Sequence, residues 1–73
     1  MLQFSARNQL KGRIKDIVLG NIMAEIIVQL PDGQEVVSLI TYPSSERLNL
    51  QIHDEVVVMF NSTDVLVGKV ASD

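Results

Sequence analysis

Cysteine and tryptophan are absent from this chain, and proline, histidine and aromatic residues are scarce. Each scarcity excludes something. Without cysteine there is no disulfide staple and no thiolate metal site. The single histidine, His53, cannot build an ordinary zinc site without several carboxylate or partner-chain ligands. No hydrophobic run approaches the roughly 20 residues that a membrane-crossing helix needs. The segment Met1-Leu2-Gln3-Phe4-Ser5 has neither the basic nor the apolar region of a signal peptide, so a cytoplasmic protein without a membrane partner is expected. Catalytic arrangements are also missing. There is no Ser/His/Asp or Cys/His set and no phosphate-cradling glycine loop, and Asp16, Glu25 and Asp64 are too scattered for paired acid–base work. The expectation is a binding protein, not an enzyme.

What remains is a chain of 73 residues, 47% hydrophobic, with a net charge of -3. It is expected to form one domain over residues 1–73, globular rather than disordered. A domain of this size buries only about 60% of the surface of its unfolded chain. With disulfides and thiolate metals excluded, oligomerisation is the remaining source of stability.

Alternation of apolar and polar residues favours strands. The first is expected over Leu10–Leu19, with Lys11, Arg13 and Lys15 on a solvated or interface-lining face. Gly20-Asn21 suits a turn that uses positive φ. A second strand over Ile22–Leu30 carries Ile22, Ala24, Ile26, Val28 and Leu30 on one face. Pro31-Asp32-Gly33 is a strong turn signal leading into a third strand, Gln34–Thr41. A short helix is expected over Pro43–Leu50, capped by Thr41 or Ser44. Strands over Glu55–Asn61 and Asp64–Val70 complete the set, around a bend at Asn61-Ser62-Thr63. In these last two strands alternation fails, because Val56 to Phe60 and Val65 to Val67 are continuously apolar. Strands covered on one face alternate and strands covered on both do not, so a second subunit is the expected cover. The fold class is therefore all-β: a five-stranded barrel, similar to the oligonucleotide/oligosaccharide-binding (OB) fold, with one short helix.

The basic residues are unevenly placed. Arg7, Lys11, Arg13 and Lys15, four of the six, precede the first acid, Asp16. An acidic chain with one local basic segment and only Phe4, Tyr42 and Phe60 as aromatics is a poor nucleic-acid binder, though an OB-like nucleic-acid-binding barrel is a minor alternative. It can still hold one small anion. Three bends are rich in hydrogen-bond donors: Ser5-Ala6-Arg7-Asn8-Gln9, Thr41-Tyr42-Pro43-Ser44-Ser45 and Asn61-Ser62-Thr63. A tetrahedral dianion accepts only, so hydroxyls, backbone N–H groups, an Arg fork and an Asn amide suit it. Equally, Ser, Thr and Asn form turns for reasons of their own.

The octapeptide Ser5-Ala6-Arg7-Asn8-Gln9-Leu10-Lys11-Gly12 resembles the opening of the molbindin (Mop) family of small molybdate- and tungstate-binding proteins. The same domain recurs in molybdate-responsive transcription regulators and in some molybdate transporter ATPases. The likeness continues through Ala24–Val28, Ile40-Thr41, Leu48-Asn49-Leu50, Asp54-Glu55-Val56 and Ser62-Thr63-Asp64-Val65, nearly the whole chain. It implies strand-exchanged pairing and, in stand-alone members, a homo-hexamer built as a trimer of dimers. Molybdate or tungstate would be stored or buffered between subunits as a ligand, with no cofactor and no direct metal ligation. Carried over by residue, Ser5, Arg7 and Ser62 would donate to the oxyanion, joined by Thr41 and Ser44 from a neighbouring subunit. The family usually has lysine at position 61. Here Asn61 can donate but brings no charge, which keeps open a structural or regulatory module with weak or no oxyanion binding. His53 stands where the family commonly has glycine, and as a lone turn residue it is expected to be solvated.

Overall fold

The computed structural model describes residues 7–71. The elements follow in the order β1 (Asn8–Leu19), β2 (Met23–Gln29), β3 (Glu35–Thr41), α1 (Tyr42–Arg47), β4 (Glu55–Phe60) and a 3-10 turn over Ser62–Asp64. The strands form one antiparallel sheet in the order β3-β2-β1-β4. β1 is central because it is long enough to serve two neighbours. Its first half pairs with β4, Asn8 opposite Phe60 through Arg13 opposite Glu55, and its second half pairs with β2.

A register shift between Ile14 and Asp16 decides which side chains of β1 enter the core. Strict alternation from Ile14 would turn the Asp16 carboxylate inward. One extra residue at the bulge turns Ile17 inward instead. Lys15 and Asp16 are both exposed, and Asp16 Oδ1 accepts a hydrogen bond from the Ile17 N–H at 2.8 Å. The buried core is small: Ile14, Ala24, Ile26 and Val28, with Ile17, Ile40, Leu50, Val56 and Val58 packed against it. Gly12 faces the same way. A Cβ there would lie 2.6 Å from Val28 Cγ1 and 2.7 Å from the Gln29 carbonyl oxygen, so only glycine lets β1 cross β2 this closely.

The turns follow local chemistry. Gly33 takes φ 92°, its N–H donates to the Leu30 carbonyl at 2.9 Å, and the Leu30 N–H donates to Gln34 O at 2.7 Å. This is a type I turn closed by a left-handed glycine. Asp32 accepts from both the backbone and the side chain of Gln34, and these bonds hold its carboxyl below the usual range. The turn at Gly20-Asn21 forms, but neither residue adopts the expected positive φ; a bond from Gly20 N–H to Met23 O at 2.8 Å closes it.

The helix begins where expected and is shorter. Thr41 caps it, its hydroxyl oxygen accepting from the Ser44 N–H, with proline in the first turn. Its end is a Schellman motif: Asn49, at φ 51°, donates to Glu46 O at 2.9 Å, and Leu50 N–H reaches Ser45 O at 3.3 Å. Leu50 thus belongs to the exit and not to the helix, and there it packs on the core.

The expectation of a fifth strand over Asp64–Val70 is corrected: the sheet has four strands. Asn61–Asp64 carries no glycine to make a tight hairpin turn, and a 3-10 turn (Asp64 N–H to Asn61 O, 3.0 Å) leads the chain away from β4. Leu66, Val67 and Val70 are left 96%, 93% and 88% exposed. The result is an open sheet with β3 and β4 as its edges rather than a closed barrel.

Candidate functional site

β1 and β4 bring two of the donor-rich bends together. Asn8 is opposite Phe60, so the residue before Asn8 and the residue after Phe60 stand at the same end of this strand pair. Those residues are Arg7 and Asn61, with Ser62 next along the chain, and all are exposed. Asn61 has extended backbone (φ -78°, ψ 152°) and its amide makes no capping bond to the turn that follows. Its carbonyl accepts from Asp64 and that of Ser62 from Val65. The Asn61 amide and the Ser62 hydroxyl are thus not used to hold this turn. Ser5 lies outside the described residues.

Thr41 and Ser44 lie elsewhere. Thr41 is level with Met23, beside the turn that follows Leu19, whereas Arg7 precedes the other end of β1. Along a strand of 12 residues the two groups stand roughly 35–40 Å apart by extended rise, less any bending of β1. They also flank opposite edges of the sheet, β3 and β4. One chain therefore does not bring all of its donor groups to one point.

At the helix end the donors are organised. The Thr41 hydroxyl donates to Ser44 Oγ at 2.7 Å, and Arg47 Nη2 donates to the same oxygen at 3.2 Å. Arg47 was not singled out from the sequence, although its i, i+3 spacing from Ser44 on a helix is the signal that places the two side by side. The Ser45 hydroxyl is buried and satisfied by the Tyr42 carbonyl at 2.7 Å, so it is structural. A hydrogen bond to the Glu46 carboxylate, reinforced by its charge, raises the Tyr42 phenol. Lys15 pairs with Glu35 across the sheet, and the bond and charge of Glu35 raise its ammonium. Lys15 is thereby committed to an ion pair, whereas Lys11 and Arg13 remain on the exposed face.

The profile of the TOBE domain matches residues 5–67. Molybdenum-pterin-binding protein 1 of Clostridium pasteurianum is 35% identical over 66 residues, covering 90% of this chain and 97% of that protein. The chain is a TOBE-domain protein of the molybdenum-pterin-binding (Mop) family. Among solved structures, this TOBE domain is similar to the molybdate-binding protein of Sporomusa ovata, with 35% identity and a TM-score of 0.87, covering 93% of this chain and all (100%) of the other. It is also similar to ModG, a cytoplasmic molybdate-binding protein solved with molybdate bound. There the identity is 30% and the TM-score 0.79, over 84% of this chain and 43% of ModG. Nearly the whole TOBE domain thus shares backbone as well as sequence with its molybdate-binding relatives. Its six-residue α-helix is far too short to cross a membrane.

Proposed function

We propose that this TOBE domain binds a tetrahedral oxyanion, molybdate or tungstate, at sites between copies of itself, and stores or buffers it in the cytoplasm without transforming it. The observation that supports the reading is the β1–β4 register, with Asn8 opposite Phe60, because Arg7, Asn61 and Ser62 then follow at one end of the strand pair. These groups offer N–H and O–H donors to an acceptor-only dianion, and the motif resemblance adds Ser5, outside the described residues, to the proposed set. Ser44 supplies a further donor from a neighbouring copy, and Thr41 another once its hydroxyl turns from Ser44 to the anion, because within one chain both stand at the far end of β1. The molybdate-binding relatives support the choice of anion.

The same reading requires more than one chain, and three features support that. The accessible surface is 6192 Å², against about 4,500 Å² for a compact monomer of 8.1 kDa. The excess, roughly 1,700 Å² on one chain, is about twice what one partner contributes to a standard protein–protein interface. The radius of gyration, 13.9 Å, exceeds the about 11 Å of a compact chain of this length. Val65, Leu66, Val67 and Val70 lie exposed beyond the 3-10 turn while β3 and β4 are the edges of the sheet, and the same segment from another copy closes the sheet into a five-stranded barrel. Strand-exchanged dimers assembling to a hexamer, as a trimer of dimers, satisfy all three.

Asn61 favours one second reading, a structural or regulatory module with weak binding, because it supplies no charge where a charge-assisted bond is about twice as strong. Calorimetric titration with molybdate, with sulfate as control, separates the two. Uptake of molybdate and not sulfate, strengthened by about one to two decades in Asn61→Lys, supports oxyanion storage. No heat from either protein contradicts it.

A further inference from the structure

Ser44 and Arg47 stand one helical turn apart on α1, and the polar cluster they form with Thr41 has a defined direction of donation. The Thr41 hydroxyl oxygen accepts from the Ser44 N–H, and its own proton goes to Ser44 Oγ at 2.7 Å. Arg47 Nη2 donates to the same Ser44 oxygen at 3.2 Å. A hydroxyl oxygen accepts through two lone pairs and donates one proton. Both acceptor positions of Ser44 Oγ are therefore filled, and its proton is left to point away from Thr41 and Arg47. Arg47 is exposed, and among the described residues it joins no ion pair. The acid beside it, Glu46, is turned to the Tyr42 phenol one turn back along the helix.

Charge gives this cluster its use. A molybdate or tungstate dianion carries two negative charges, whereas of Arg7, Asn61 and Ser62 only Arg7 is a cation. That end of the strand pair sets one positive charge against two. An anion oxygen that accepts the Ser44 O–H at an ordinary hydrogen-bond distance lies no more than about 6 Å from Arg47 Nη2. This is inside the screening length of physiological salt, about 8 Å, so the attraction is felt even without direct contact. A bond accepted from the guanidinium also polarises the Ser44 hydroxyl and makes it a stronger donor.

We propose that Arg47 is an anion-binding residue of the oxyanion site, contributed together with Ser44 by the neighbouring copy, and that it supplies the positive charge that Asn61 does not. The inference rests on the oxyanion reading above and names the residue that completes its charge. Arg7 of one chain and Arg47 of the next flank the dianion, and neither chain neutralises it alone.

The test is calorimetric titration of the full chain with molybdate at low and at high ionic strength. Arg47→Gln keeps a hydrogen-bond donor and removes the charge. It should weaken uptake about ten- to a hundredfold and flatten the dependence on salt. Arg47→Lys, which keeps the charge, should recover most of the loss. Asn61→Lys should strengthen Arg47→Gln more than it strengthens the unaltered chain, since only the variant lacks a second cation. Arg7→Gln and Arg47→Gln chains refolded together should regain sites that neither has alone. Arg47 also lies in the last turn of α1, where a cation favours the helix. That role alone would lower the melting temperature of anion-free Arg47→Gln and leave molybdate affinity and its salt dependence unchanged, a result that overturns the proposal. A mixture that binds no better than the average of its components overturns it too. Failure of the unaltered chain to take up molybdate overturns the oxyanion reading and this inference together, whereas normal uptake that Arg47→Gln leaves intact overturns this inference alone.

Discussion

His53 is held at φ 78° by its neighbours rather than by its own preference. Its N–H donates to Ile14 O at 2.8 Å, Arg13 binds its carbonyl, and the next residue's carbonyl accepts from Ile14 N–H at 3.0 Å. These bonds fix the loop against β1, and a β-carbon in the left-handed region costs about 1–2 kcal/mol. His53→Gly relieves that cost, less the extra freedom glycine gives the unfolded chain, for a net stabilisation of about 0.5–1 kcal/mol. Urea denaturation measures it; a destabilised variant would mean that the imidazole makes a compensating contact. Asn49, also left-handed, needs no such relief because asparagine tolerates this region as a helix exit.

At the scale of elements, Gly12 is the tightest constraint. A methyl group there meets the Gln29 backbone oxygen, which cannot swing away as a side chain can. Gly12→Ala should therefore destabilise the fold by about 1–3 kcal/mol, the ordinary cost of overpacking, with a lower denaturation midpoint as the readout. An unaffected midpoint would show that β1 and β2 can part freely. Much of this level was legible in the sequence. Alternation located the first three strands, and a continuous apolar run the fourth, within a residue or two at their ends, because one face of each packs on the small core. The Thr41 cap and the Pro31-Asp32-Gly33 turn were legible because their side chains bond locally. The bulge between Ile14 and Asp16 was not, since it is a compromise between a polar residue at an inward position and the pairing of Ile17 with Ile26. Nor was Leu50's place outside the helix, which depends on Asn49 turning left-handed.

The whole molecule explains why the fifth strand was the poorest sequence expectation. Val65, Leu66 and Val67 have strand-forming composition, but a strand exists only beside a free edge, and within one chain this segment is led away from β4. Composition therefore marked the segment as apolar and β-forming without determining what it pairs with. The same reasoning applies to the oxyanion donors: the Arg7–Asn61 group was recoverable by pairing the ends of β1 and β4, whereas Thr41 and Ser44 stand at the other end of β1. If residues 65–73 join copies together, a chain ending at Asp64 should sediment at a lower mass and melt earlier than the full chain. Unchanged mass and melting would remove the tail from the assembly.

Subunit complementation tests most directly whether the anion is held by donors from more than one copy. Arg7→Gln and Ser44→Ala chains, each expected to take up molybdate poorly, are refolded together in equal amounts and titrated with molybdate. Sites that join the intact Ser44 of one chain to the intact Arg7 of another should return, about a quarter of all sites for random pairing in a two-chain interface. A mixture that binds no more than the average of its two components would contradict a site shared between chains.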